Sequence, residues 1–558
     1  MIFGWGPLSQ LRHLKRYRQI LRILIKYGFA QVLDELNLYG LWERLFVRRG
    51  KQKEAVAHHL ETRLRQALEE LGPAFVKIGQ LLSTRTDLLP AAYIAELSNL
   101  QDKVAPFPAE KAKAIIESEL KMPLHLCFSS FEEQPLAAAS IGQVHRAALP
   151  GGEPVAVKIK RPGVDAQIRE DLAILLALTA LVDRSTSLGQ YYHFNDLALE
   201  LKKIILSELD YLNEARNVQR FRKNFADSGT VYIPKVYWSH TTCHVLTMEL
   251  REGYSLARYL EAPLPDPAPR QLAEMLTDCF VKQIFIDGFF HGDPHPGNLA
   301  VLPDRRLLIM DFGAAGTIDD ELRGKFLTLL KAFRSFDTAT ITDELLTLAE
   351  ASPLKVNRSE LMRDIGRFQE QFYEVPLKNI NLGEAFQNLM NIAMKHRLRL
   401  PYTLLLLGRT LVTLEGTIAR LDPEFNIAAV LQKYGPSLQS RQLRFTARRV
   451  RGTLRSYYRL WEEIPERTVE LLREAAAGDL QLKVELMHTK SALHTLETMI
   501  NRLAFSIVLA SLIIGLSQNL RLENVAWLTR FPIAELVLIG AALAGVWWLF
   551  SIIRSGRF

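Results

Sequence analysis

The feature that most narrows the fold of this 558-residue chain is a set of charged residues placed at the ends of short apolar runs. Residues 134–160 read as a short strand, a small-residue turn, a second strand, a tight Gly151-Gly152 turn and a last strand ending in Val155-Ala156-Val157-Lys158. That is the pattern of an antiparallel hairpin with a cation alternating among valines. Much further on, His291-Gly292-Asp293-Pro294-His295-Pro296-Gly297-Asn298 sets an aspartate five residues before an asparagine. Eighteen residues after Asp293, the apolar run Leu308-Ile309-Met310 ends in Asp311-Phe312-Gly313. A lysine on a strand is commonly a solvated face; joined to the other two motifs in this order it becomes a phosphate-facing cation beside divalent-ion ligands.

A strand lysine, an Asp-x4-Asn loop and Asp-Phe-Gly form the arrangement of protein kinases, where the lysine neutralises ATP phosphates and pairs with a helix glutamate. On that reading Lys158 meets phosphate, Asn298 and Asp311 hold Mg2+, and Asp293 orients the attacking water or hydroxyl. Adenine would meet backbone around Glu249 to Arg251, after the apolar run at 245–250. The loop over the phosphates is unusual: where glycines would stand, the chain has Ala137-Ala138-Ala139-Ser140-Ile141-Gly142-Gln143-Val144. Alanine lacks the positive-φ freedom that lets glycine backbone wrap a triphosphate. Past Gly313 a helical pattern starts at about Ile318, with no activation segment and no Ala-Pro-Glu, so no platform for a protein substrate is expected. His291 and His295 are four apart, but Pro294 and Pro296 break any helix that would pair them on a metal, and His291 is read as a brace within the loop.

Further motifs carry a resemblance. Lys77-Ile78-Gly79-Gln80 within FVKIGQLLSTRTDLLP, the alanine-rich AAASIGQVH, and Glu208-Leu209-Asp210 within SELDYLNEA are similar to the KxGQ, alanine-loop and ExD signatures of the UbiB family of atypical kinase-like ATPases, which includes the ADCK proteins of mitochondria and plastids. The likeness covers about residues 60–430. It implies that Glu214 pairs with Lys158, and that the KxGQ segment, with Lys77 and Gln80, crosses the nucleotide site to meet Glu208 and Asp210. Such a cover would block a peptide groove. The resemblance also implies ATP and Mg2+ as ligands, ATP hydrolysis in place of protein phosphorylation, and a role in isoprenoid quinone biosynthesis, with ubiquinone the usual product. Glu208 and Asp210, read as two positions on one helix, would spread about 200° and flank an inserted cation. A small-molecule or lipid kinase, and a nucleotide-gated lipid-binding scaffold without catalysis, are the other readings.

The expected fold class is α+β: a two-lobed kinase-like body with an N-terminal helical extension and a C-terminal transmembrane hairpin. Its expected parts are a basic amphipathic segment at 1–50, the KxGQ extension at 51–130, an N-lobe with inserted helices at 131–255, a C-lobe at 256–435, a basic linker at 436–500 and the hairpin at 501–558. The net charge is only +8, but it is uneven. Arg12, Lys15, Arg16, Arg18, Arg22 and Lys26 face no acid before Leu33, and seven arginines crowd 441–459; both stretches carry apolar residues at helical spacing. The uncharged run at 503–520 and the twenty-three residues at 531–553, with Glu535 alone, approach bilayer length, and Ser511/Gly515 and Ala541/Gly545 would let the two helices pack closely. Expected partners are anionic membrane lipid, prenylated quinone precursors and quinone-biosynthesis proteins; a second copy of the chain, as a homodimer, is a further candidate, and nucleic acid is not expected. The expected place is a bacterial cytoplasmic (inner) membrane, or its organelle equivalent, with the kinase-like body on the cytoplasmic side where ATP is found. Cys127, Cys243 and Cys279 are too far apart in sequence for a CxxC knuckle or a disulfide framework, which points to a reducing compartment.

Overall fold

The structure is a computed structural model that describes residues 7–29, 59–85, 88–100, 105–185, 194–264, 267–349, 356–371, 382–396, 398, 400–425, 507 and 510. The basic stretch at 441–459 and the apolar stretches at 503–520 and 531–553 lie outside the described residues, apart from Ile507 and Ala510. Among the described residues no helix is long and apolar enough to cross a membrane.

The strands in chain order are β1 (Ser130–Phe131), β2 (Ala137–Ala138), β3 (Gly142–Ala148), β4 (Pro154–Lys160), β5 (Val231–Tyr232), β6 (Val245–Glu249), β7 (Tyr254–Ser255), β8 (Phe289–His291), β9 (Leu299–Val301), β10 (Leu307–Ile309) and β11 (Ala315–Thr317). The expected hairpin forms: β3 and β4 pair antiparallel from Gly142↔Lys160 to Ala148↔Pro154, and Gly152 in the turn takes φ +85, where glycine carries no Cβ penalty. β6 pairs with the other edge of β4, while β1 and β2 add to β3. Period-two alternation then sorts β4. Val155, Val157 and Ile159 are fully buried in a core with Ala112 and Ile116 of the Ala109–Leu120 helix, and Lys158 falls on the opposite face. β5 and β7 belong elsewhere: β5 pairs parallel with β10, and β7 pairs with β9 beside the Asp-x4-Asn loop. The expected boundary at 255 therefore cuts through a sheet that takes strands from both sides of it.

Helices Val164–Ser185, Phe194–Glu208 and Tyr211–Asn224 are inserted between β4 and β6. On the first two lies the N-terminal extension, built from Pro7–Lys26, Leu60–Leu71 and Pro73–Leu82. Gly72 at φ +101 joins the last two, and Pro73 suits the first helical turn, where its missing N–H is not needed. The N-terminal helix forms as its periodicity predicts, but Ile20, Leu21 and Ile23 are buried within the protein. These three side chains are thus unavailable for insertion into lipid, while Lys15, Arg18, Arg22 and Lys26 stay exposed. Arg16 anchors the helix: Nε meets Asp171 Oδ1 at 2.6 Å, Nη2 meets Asp171 Oδ2 at 2.9 Å, and Nη2 also donates to Leu71 O at 2.6 Å.

The Asp171 side chain is fully buried. Arg16→Ala leaves that carboxylate without its cation, and burial already pushes its pKa up. We expect Arg16→Ala to lower stability by about 3–5 kcal/mol, the usual cost of breaking a buried pair from one side. The urea midpoint of the full-length protein measures this, and an unchanged midpoint would show that the pair does not hold the helix.

Candidate nucleotide site

A cleft of about 160 Å³, open to solvent, collects Lys77, Ala139, Ser140, Ile141, Gly142, Lys158, Glu208, Glu214, Asp293, Asn298 and Asp311 from the expected site, and adds Tyr211, Gly313 and Ala314. Gln80, Ala137, Ala138, Gln143, Val144, Asp210, Glu249 and Arg251 are not in its lining.

Lys158 Nζ reaches Glu214 Oε1 at 2.9 Å and Oε2 at 2.8 Å, and stands 3.9 Å from Asp311 Oδ1. Burial alone would lower the lysine's pKa, but Asp311 and Glu214 outweigh it and raise it, so the cation is secured. Glu214 is placed by the start of its helix. Asp210 is the N-cap of Tyr211–Asn224, and its Oδ1 accepts from Leu212 N at 3.0 Å, which sets Glu214 one turn in. The expectation of Glu208 and Asp210 on one helix is therefore corrected: Glu208 ends the Phe194–Glu208 helix and Asp210 starts the next. An aspartate competes with helical backbone through its own carboxylate, and here it breaks and restarts the helix. Across the cleft, Lys77 of Pro73–Leu82 pairs with Glu208 Oε2 at 3.4 Å. Gln80, one turn on, donates to Leu100 O at 3.3 Å.

The catalytic-type loop is braced by histidine. A π-helical turn, Lys282–Asp287, aims Gln283 inward, and its Oε1 accepts from His291 N at 2.8 Å. The buried His291 ring donates from Nε2 to Asp311 O at 2.6 Å and accepts from Asp293 N at Nδ1, 3.2 Å. One ring thus ties the two aspartates' backbones together, as the sequence reading of His291 expected. Asn298 Nδ2 donates to Asp293 O at 3.1 Å, and Arg409 Nη2 of the Tyr402–Leu421 helix lies 3.6 Å from Asp293 Oδ1. His295 accepts from Gly297 N at 3.1 Å and lies apart from His291's contacts.

Asp311 takes φ +53, a left-handed conformation that aspartate tolerates better than most residues, and its Oδ1 accepts from Gly313 N at 3.1 Å. The strain is offset by Phe312, fully buried with its ring centroid 5.3 Å from Phe221 of the Glu214 helix, and by Asn217 Nδ2 donating to Phe312 O at 3.0 Å. Lys158 is the largest influence on the Asp311 carboxyl and lowers its pKa to about 2. Its side chain is 54% exposed, so solvent screens the energy of that contact. The sign is clear: a depressed carboxyl adds stability above its unfolded value near about 4 and loses it as pH falls through the folded one.

Ala139 N bonds to Gly142 O at 2.8 Å, closing a tight turn over the cleft. Gly142 is required there, because a Cβ would collide with Ile159 O and the Tyr211 hydroxyl. Gln143 turns away: its Oε1 accepts from Phe107 N at 2.9 Å and its Nε2 donates to Phe107 O at 3.2 Å. Ala137 and Ala138 pair with Val144 and Gln143 as β2 and β3. At the expected adenine contact, Glu249 N and Leu250 N already donate to Lys235 O and Pro154 O. The Glu249 carboxylate takes Tyr232 OH and Arg251 Nε, both at 2.7 Å. These two amides are therefore committed within the protein. The sequence does not mark Tyr211 or Arg409: Tyr211 adjoins the ExD motif but its ring direction is set by the helix break, and nothing local to Arg409 singles it out.

Residues 99–345 match the ABC1 atypical kinase-like domain, 365–426 the UbiB helical domain, and 487–554 the ABC1/UbiB kinase-like C-terminal domain. A probable protein kinase UbiB of Marinobacter nauticus is 36% identical over 376 residues, which is 67% of this chain and 69% of that protein. An uncharacterised protein of Synechocystis sp. is 34% identical over 442 residues, covering 78% of this chain and 75% of its own. An uncharacterised protein of Clostridium pasteurianum, from the region 5' of hydrogenase 1, is 32% identical over 558 residues, covering 97% and 99%. With the lysine, the paired glutamate, the histidine-braced loop and Asp-Phe-Gly in one cleft, the chain belongs to the ABC1/UbiB family of atypical kinase-like proteins.

Proposed function

We propose that this protein hydrolyses ATP at a membrane surface in support of isoprenoid quinone biosynthesis, with ubiquinone as the first candidate. The observation that carries the ATP reading is the charged cluster of Lys158, Glu214 and Asp311 facing Asp293 and Asn298 across one cleft. The oxygen donors Asn298 and Asp311, the latter ionised at neutral pH, suit a hard divalent ion. Mg2+ held by Asn298 and Asp311 would offset the negative charge of the phosphates. Lys158 meets the same phosphates, and Asp293, held by Arg409, orients water. The Lys77–Glu208 pair, which brings the Pro73–Leu82 helix to the rim of the cleft, supports hydrolysis over protein phosphorylation.

The quinone assignment rests on the UbiB name carried by the Marinobacter relative. The membrane assignment rests on the apolar stretches at 503–520 and 531–553 and on the exposed Lys15, Arg18 and Arg22. Each such cation near an anionic leaflet contributes on the order of 1 kcal/mol. The site then lies at the cytoplasmic leaflet of a bacterial inner membrane, or an organelle equivalent, near prenylated precursors and the enzymes that act on them.

Phosphate release, measured with and without anionic vesicles and a prenylated phenol, tests the reading. We expect Asp311→Asn to lower Mg2+-dependent release by roughly 100-fold or more in a folded protein, because an amide keeps the shape of the ligand without its charge. Unchanged turnover would remove Asp311 from the site; a phosphorylated phenol in place of free phosphate would make the protein a small-molecule kinase. A second expectation concerns Tyr211. Its hydroxyl is buried without a hydrogen-bond partner, and its ring lies 5.3 Å from Lys158 Nζ. Tyr211→Phe should leave nucleotide-free stability within about 1 kcal/mol while weakening nucleotide binding roughly 2- to 10-fold, the worth of one hydrogen bond formed on binding. A stability loss with unchanged affinity would make the hydroxyl purely structural.

A further inference from the structure

At the turn that leads into β6, the fold assembles a second polar cluster that sequence spacing does not foreshadow. Glu119, near the end of Ala109–Leu120, and Cys243 and His244, in the turn before β6, bring one carboxylate oxygen, one sulfur and one ring nitrogen within 4.8 Å of one another. His244 Nδ1 is 3.0 Å from Glu119 Oε1 and 3.2 Å from Cys243 Sγ. Its other nitrogen, Nε2, is 3.2 Å from Asp165 Oδ2, and Asp165 Oδ1 is 3.2 Å from Lys160 Nζ. The second oxygen of Glu119 accepts from Thr242 Oγ1 at 2.7 Å.

We propose that Glu119, Cys243 and His244 form a binding site for a borderline-soft divalent metal ion of the Zn2+ type. Three protein ligands of these kinds leave a fourth tetrahedral position for water. With metal bonds of about 2.0 Å to nitrogen and oxygen and about 2.3 Å to sulfur, neighbouring ligand atoms sit about 3.2–3.6 Å apart, close to the spacing His244 already has to both partners. The Asp165 contact supplies the outer support such sites use: a carboxylate on Nε2 keeps the proton there and turns the Nδ1 lone pair toward Cys243 and Glu119. A plain ion-pair network around His244 has no need of the thiol, whereas a soft ligand beside imidazole and carboxylate is what distinguishes Zn2+ from Mg2+. Charge balances as well. Thiolate, Glu119 and Asp165 offset the ion and Lys160, with the thiol proton released to solvent on loading. The Glu119 and His244 side chains are 24% and 37% exposed, so an ion has a way in. The site is tied to the nucleotide cleft, because Cys243 O accepts from Tyr211 N at 3.4 Å, at the first residue of the Glu214 helix.

The test is a Co2+ titration of the reduced, metal-free, full-length protein without nucleotide, so its outcome does not depend on ATP turnover. We expect tetrahedral d–d bands and a near-ultraviolet sulfur-to-cobalt band that saturate at a single equivalent and are displaced by Zn2+. Cys243→Ser should abolish the near-ultraviolet band. Glu119→Gln and Asp165→Asn should each weaken Co2+ binding by roughly 10- to 100-fold. Cys127 and Cys279 are buried and provide the control: the band should survive their joint replacement by alanine. Wild-type protein without the bands, a band that persists in Cys243→Ser, or unchanged affinity in Asp165→Asn would overturn the site.

Discussion

Lys158 stands between two carboxylates, and everything around the cleft serves to keep it between them. Glu214 is nearly buried and holds the ammonium with both oxygens, while Asp311 stays half in solvent at a longer distance. Had the distances been reversed, the ammonium would neutralise Asp311 and leave a buried glutamate alone, an arrangement that costs several kcal/mol. The register of β4, the cap at Asp210 and the left-handed turn at Asp311 each fix one member of this triangle.

Much of this was legible in the residues themselves. Lys158 could be placed because period-two alternation is a strong signal on a short strand flanked by turns, and Val155, Val157 and Ile159 are all fully buried as it requires. The Asp293 and Asp311 motifs were legible because each is contiguous, with its chemistry set over a few residues of chain. The ExD segment misleads for the opposite reason. Its helical periodicity continues on both sides of Leu209, and only tertiary packing reveals that Asp210 restarts the helix. Arg409 was invisible because it meets Asp293 through the packing of the Tyr402–Leu421 helix, and Gln143 was assigned to the nucleotide although a buried amide finds better partners in Phe107's backbone.

The N-terminal helix carries a similar lesson. Amphipathic character states that one face will be covered and is silent about what covers it. Here the protein itself does so, through Ile20, Leu21 and Ile23, and the arginine that reads as a lipid-facing charge spends its hydrogen bonds on Asp171 and Leu71. Basic residues that remain exposed can act on a membrane only through their charge.

The Pro73–Leu82 helix also limits how the cleft can be used. Phe75, Val76, Ile78 and Leu81 are buried in the same core as the N-terminal helix. Detaching four such side chains costs roughly 6–12 kcal/mol, comparable to the whole binding energy of a micromolar ligand. The helix is therefore a roof and not a lid: any ligand of the cleft has to enter and leave by its solvent-open flank, and movement under Lys77 is restricted to its side chain.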